Sequence, residues 1–158
     1  MGQTCVAIKK VFDPLRFYEL HDINQMGMTQ SYRELTPIGL RVLNRIPGDV
    51  VMVCGPISTG GAGSMTENMR VFHDAIERVV QMGEHVFTQL PFEGAMQNIK
   101  GKLLPESDGL SLLELFYRPL FESGMIKRLY FIPGWEGSFG ATWEHTVALE
   151  LGIKIQYL

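Results

Sequence analysis

Glu144 is the residue of this sequence best placed to do chemistry. In SFGATWEHTVALELG (138–152), Ala141, Glu144, Ala148 and Leu151 recur at three- and four-residue spacing. A helix opening near Ser138 therefore sets them on one face. A carboxylate in that apolar stripe faces the sheet or the crevice above it, where burial costs several kcal/mol unless the group is paired or hydrogen-bonded. Either a structural partner offsets the cost, an Arg or backbone N–H groups, or the carboxylate serves catalysis. The Gly-rich PGWEGS stretch ahead of the helix sets Glu144 beside a ligand crevice, which favours catalysis.

GPISTGG (Gly55–Gly61) is the second segment with chemical content. Its glycines let backbone approach a ligand closely, and the helix that follows offers free N–H groups. Ser58, Thr59, Ser64 and Thr66 add hydroxyls, a set that suits a phosphate or a sugar hydroxyl. The spacing is neither a Walker A loop nor a GxGxxG fingerprint. A plain flexible turn would read the same way, but a place at the carboxyl end of a strand favours a binding loop.

Other candidates are less specific. Trp135 either stacks on a base or seals its loop to the core, and Trp143 reads as packing. His145 points about 100° away from Glu144 on the helix, and His73 lies on a polar face. Phe92 could wall a pocket after the second strand, with Glu93 beside it as an alternative second carboxylate. Cys54, in an apolar strand pattern, reads as a core residue rather than a nucleophile. No His/Cys/Asp/Glu set has metal-ligand spacing, so no metal is expected.

The elements that must position these residues are regular after Pro47-Gly48-Asp49. VVMVC (Val50–Cys54) reads as a strand covered on both faces, and Met69, Phe72, Ala75, Ile76, Val79 and Val80 mark a helix opened by Ser64 and Glu67 and stopped by Gly83. HVFTQL (His85–Leu90) predicts a second strand, Pro91–Gly109 a long loop with at most a short helical turn, and Leu110–Gly124 a helix that Pro119 ends, kinks or restarts. RLYFI (Arg128–Ile132), Gly140–Leu151 and Ile153–Leu158 predict strand, helix, strand. Alternation of this kind argues for a three-layer α/β fold with a parallel sheet. Residues 1–48 are an extension of uncertain structure, with CVAIKKVF as a possible strand and a short helical pattern over Pro37–Arg45; residues 49–158 form the α/β domain.

The 158-residue length suits one domain, and a net charge of −3 gives no general attraction to nucleic acid polymers, leaving small molecules as the expected ligands. Two cysteines make no disulfide framework, and no run approaches the length of a membrane span. The start MGQTCVAIKKVF lacks the apolar core of a signal peptide, so a soluble cytoplasmic protein is expected.

VMVCGPISTGG, the Asn68-containing helix, the Gly83–Phe87 stretch and above all LYFIPGWEGSFGATWEHTVALELGIKI resemble the nucleoside 2-deoxyribosyltransferase-like superfamily, within it a branch of small bacterial and phage proteins. The resemblance covers about Val50–Leu158. It implies a doubly wound, flavodoxin-like fold and a nucleoside or nucleoside 5′-monophosphate as ligand. Glu144 matches the helix-borne Glu that attacks the anomeric carbon, which makes the chain a deoxyribosyltransferase or N-glycosidase working by double displacement. Gly55, Pro56, Ser58, Gly60 and Gly61 would cradle the sugar or its phosphate, Trp135, Ser138 and Gly140 would shape the pocket, and Phe92 would meet the base. The helix N-terminus would help keep Glu144 ionised. No cofactor is implied. A homo-oligomer is, with Phe116 and Phe121 on a contact helix. The sequence departs from the family where a Tyr is usual, at Met52 or Val53, and where an acidic residue is usual, at Lys127-Arg128. Those departures favour a rival reading, a non-catalytic nucleotide sensor with the same pocket.

Overall fold

The computed structural model describes residues 12–58 and 60–158. The strand expected over CVAIKKVF, Phe12 apart, and the hydroxyl of Thr59 lie outside the described residues. The chain runs α1 (Leu20–Met26), α2 (Tyr32–Arg45), β1 (Val50–Cys54), α3 (Met65–Gln81), β2 (His85–Val86), α4 (Glu93–Gly101), α5 (Gly109–Leu112), α6 (Arg118–Glu122), β3 (Ile126–Phe131), α7 (Phe139–Leu151) and β4 (Lys154–Tyr157).

An uninterrupted apolar strand is stable only when both faces are covered. Every residue of β1 is buried. The four strands form one all-parallel sheet in the order β2-β1-β3-β4. Alternate strand residues feed different cores: Val50, Met52, Cys54, Leu129 and Phe131 join one with α2, α4, α6 and α7, while Val51, Val53, Tyr130 and Ile132 pack on Phe72, Ile76 and Val79 of α3. The chain passes from β1 to β2 on one side and then sets β3 on the other, so the winding reverses between β1 and β3. In open α/β sheets that reversal opens a crevice beyond the strands' carboxyl ends.

Several expectations need correction. The second strand ends at Val86 rather than Leu90; Phe87 N–H still reaches the Val51 carbonyl at 2.9 Å, but Leu90–Phe92 form a 3-10 turn. The expected loop over Pro91–Gly109 contains α4, whose buried Glu93, Met96 and Ile99 follow Phe92 of the 3-10 turn while Gly94, Gln97, Asn98 and Lys100 are exposed. The helix read from Pro37 begins at Tyr32, capped by Ser31, whose Oγ accepts the Glu34 N–H. Pro37 sits inside it.

Between α5 and α6, Leu113–Tyr117 form a π turn that leads into Pro119. A proline deprives the carbonyl four residues back of its helical donor. Here that carbonyl is Leu115's, and it accepts the Thr36 hydroxyl at 2.6 Å instead. The bond ties this helix to α2. Phe116 and Phe121 are 0% and 2% exposed, so they are core residues and cannot form the contact between copies that the sequence led us to expect. Residues 26–46 contribute Met26, Tyr32, Leu35, Ile38, Val42, Leu43 and Ile46 to the same core. Among the described residues no helix is long and apolar enough to cross a membrane.

Candidate active site

The loops that leave β1 and β3 touch each other. Gly60 has a left-handed backbone (φ 70°), and a Cβ there would meet the Gly137 carbonyl oxygen at 2.4 Å. Only glycine permits so close an approach. Asn68, buried in the first turn of α3, closes the first loop: its Oδ1 accepts the Ala62 N–H at 2.7 Å, and its Nδ2 donates to the Ile57 and Gly60 carbonyls at 3.0 and 3.1 Å. Ser138 ends the second loop and caps α7, its Oγ accepting the Ala141 N–H at 3.2 Å.

These loops border a cleft of about 160 Å³. Full sites for drug-sized ligands run from about 300 Å³ upward, so the cleft holds a sugar-sized group and leaves the rest of a larger ligand at its mouth. Gly55, Ser58, Ser138, Gly140 and Glu144, all named from the sequence, line it together. Pro56, Gly60 and Gly61 do not line it; they build the loop from behind, where a Cβ on Gly61 would strike Asn68 Oδ1 at 2.4 Å. Phe92 is fully buried against Phe116, with ring centroids 4.9 Å apart, and reaches no ligand. Trp135 turns away from the cleft and stacks on His145 at 4.4 Å, near Tyr157, whose hydroxyl meets His145 Nε2 at 2.7 Å. Of the two readings for Trp135, sealing its loop matches this placement. Trp143 packs on Phe121 and donates to Glu114 at 3.1 Å.

Glu144 is 7% exposed, and its Oε2 has no hydrogen-bond partner among the described residues. Burial pushes its carboxyl up to about 8, against the pull of a hydrogen bond from Cys54. The expected help from the helix N-terminus does not prevail. Glu144 lies in the second turn of α7, and the dipole's effect fades within the first. Cys54 is itself driven well above the ordinary thiol range by burial and then by Glu144, which disqualifies it as a thiolate nucleophile and makes it a hydrogen-bond donor instead.

Three further residues line the cleft, one named from the sequence as an alternative and two, Tyr117 and Phe139, that the sequence did not single out. Glu93, the alternative carboxylate, does line the cleft; burial raises its carboxyl, while Gln97 and Lys100 pull it down. Tyr117, presented by the π turn, lies within electrostatic reach of both Glu93 and Glu144. Phe139, 58% exposed, stands in the cleft wall at the start of α7. Tyr117 was hidden because an aromatic in an apolar helix pattern reads as core, and Phe139 because one ring before a predicted helix carries no signal.

Arg128, part of the departure from the family pattern, lies early in β3, pairs with Glu84 at 3.6 Å and does not line the cleft. On the solvent side of α3, His73, Asp74 and Glu77 bring ligand atoms within 4.8 Å of one another, also apart from the cleft.

Fold and site together define a parallel α/β protein with a buried carboxyl, one of its oxygens without a partner among the described residues, in a cleft at the reversal point of its sheet. No protein-family model, curated protein or solved structure matches the chain.

Proposed function

We propose that this protein is a three-layer, doubly wound, flavodoxin-like member of the nucleoside 2-deoxyribosyltransferase-like superfamily that breaks the N-glycosidic bond of a nucleoside or nucleoside 5′-monophosphate. One observation carries the reading. Glu144 lines a sugar-sized cleft at the carboxyl ends of the strands, and one oxygen of its buried carboxyl has no hydrogen-bond partner among the described residues. The sugar enters the cleft with Ser58 and the Gly55 loop against its hydroxyls or phosphate, and the base lies at the mouth beside Phe139.

Ionised Glu144 stabilises the positive charge that develops at the anomeric carbon and then bonds to it; water or a second base resolves the ester. Because burial pushes the carboxyl up to about 8, the reactive form is the minor one at neutral pH. The Cys54 donor favours that form. Base release, followed by chromatography over deoxynucleosides, ribonucleosides and their 5′-monophosphates, tests the proposal. Wild type should release or exchange the base and Glu144→Gln should not.

The same neutral Glu144 favours the rival, since an uncharged carboxyl can hold a ligand without attacking it. A nucleotide that raises the melting temperature yet is never cleaved would promote the sensor over the enzyme.

A further inference from the structure

A glycosidic bond to a base needs more than a nucleophile. The departing base nitrogen must take a proton, and the acceptor must later lose one. Glu144 cannot hold a proton and attack at the same time, and neither Ser58, Ser138 nor Tyr117 is an effective acid near neutral pH.

We infer that Glu93 is the second reacting carboxyl of the cleft, the acid that protonates the leaving base and then the base that activates the acceptor. The inference rests on the N-glycosidic reading of the cleft. Glu93 is 9% exposed and lines the same cleft as Glu144. It comes from a different helix, α4, which the 3-10 turn after β2 starts at the ligand edge of the sheet. Both carboxyls act on Tyr117, which puts them within electrostatic range of one group. Burial raises both carboxyls, which favours a cleft that retains a proton.

In the reactive state that proton is on Glu93. As the C1′–N bond breaks, its electron pair goes to the base nitrogen, which takes the Glu93 proton, while a Glu144 oxygen bonds to C1′. Water then attacks C1′ and its proton passes to the Glu93 carboxylate. The electron pair of the C1′–O bond returns to Glu144, and the starting state is restored. The groups facing Glu93 are Gln97 and Lys100 on α4, Tyr117 on the π turn, Tyr32 on α2 and Glu144 on α7. Lys100 is the cation among them. It keeps the Glu93 proton mobile by opposing the effect of burial.

The test uses two substrates, an ordinary purine deoxynucleoside and its N7-methylated form, whose base leaves without needing a proton. Glu93→Gln should lower turnover of the ordinary substrate at least about 100-fold and leave the methylated one within about threefold of wild type. Glu144→Gln should abolish both. Glu93→Asp, which keeps the acid on a shorter arm, should recover part of the loss, whereas a merely structural Glu93 would give parallel losses on both substrates. Equal losses, or no loss, in Glu93→Gln would overturn the role of Glu93 while leaving the cleft reading intact. A wild type that cleaves neither substrate would overturn both.

Discussion

A carboxyl that titrates at about 8 reacts as a nucleophile only after losing its proton, so the activity of Glu144 carries a pH signature. As the nucleophile of the free enzyme, it should make kcat/KM for the N7-methylated substrate, whose base leaves without a proton, rise with pH up to about 8 and then level off, while the ordinary substrate adds a falling limb from the Glu93 acid. If Glu144 were not the nucleophile, the methylated substrate would lose the rising limb. The Cys54 hydrogen bond moves this limb in a known direction, because it favours the ionised form. Cys54→Ala should therefore shift the rising limb to higher pH, at a stability cost of about 1 kcal/mol for the lost core atom. Cys54→Ser, with a stronger donor, should shift it lower. A kcat/KM profile over these three proteins reads the order directly, and an unchanged midpoint in Cys54→Ala would remove Cys54 from the site.

The site depends on two loops held against each other by elements that do no chemistry. Gly60→Ala forces a side chain into the Gly137 carbonyl at a left-handed backbone position, and should cost about 1–3 kcal/mol while displacing the loop that carries Ser58. Asn68→Ala leaves the Ala62 N–H and the Ile57 and Gly60 carbonyls without their partner, and should cost about 2 kcal/mol. Both variants should raise KM for base release more than they lower kcat, since the first loop binds and Glu144 sits on the other element. Much of this architecture is legible in the sequence, because VVMVC is an unbroken apolar run and the α3 stripe opened by Ser64 and the α7 stripe opened by Ser138 recur at helical spacing. Glu144 was legible for the same reason, as a break in a period. What was not legible depends on side chains from separate elements meeting. Cys54 and Glu144 lie on β1 and α7, Tyr117 reaches the cleft only through the π turn, and Trp135 turns to His145 and Tyr157 rather than to a ligand. Helix α4 was missed because its apolar face holds little more than Met96 and Ile99 among Gly, Gln and Lys.

At the scale of the whole molecule, two buried carboxyls pull stability in opposite directions with pH. Asp22, fully buried, ties α1 to α2 through Arg41 and Arg45. Burial alone would raise its carboxyl, but hydrogen bonds from Arg45, the Glu19 N–H and Arg41 outweigh that and hold it at about 2, below its ordinary 3.8. A depressed carboxyl contributes stability that is present above its unfolded value and lost as pH falls through its folded one. Asp22 therefore weakens the fold below about pH 4. Glu144 has the opposite sign: the folded state holds its proton up to about 8 against an ordinary 4.5, so stability falls across that window as pH rises. The melting temperature should peak near pH 4–5, between the two limbs, and decline toward pH 9. Glu144→Gln should flatten the alkaline decline and melt above wild type at pH 9, the reverse of its effect on activity. Asp22→Asn should lower stability by about 2–3 kcal/mol at neutral pH, the low end for a broken buried pair because both guanidiniums reach water, and should flatten the acid limb. Thermal melts of the three proteins from pH 3 to 9 check both signs at once. A wild type that is most stable at pH 9, or a Glu144→Gln variant whose decline between about pH 4.5 and 8 is as steep as that of wild type, would show that Glu144 is not the buried neutral acid that the cleft makes it.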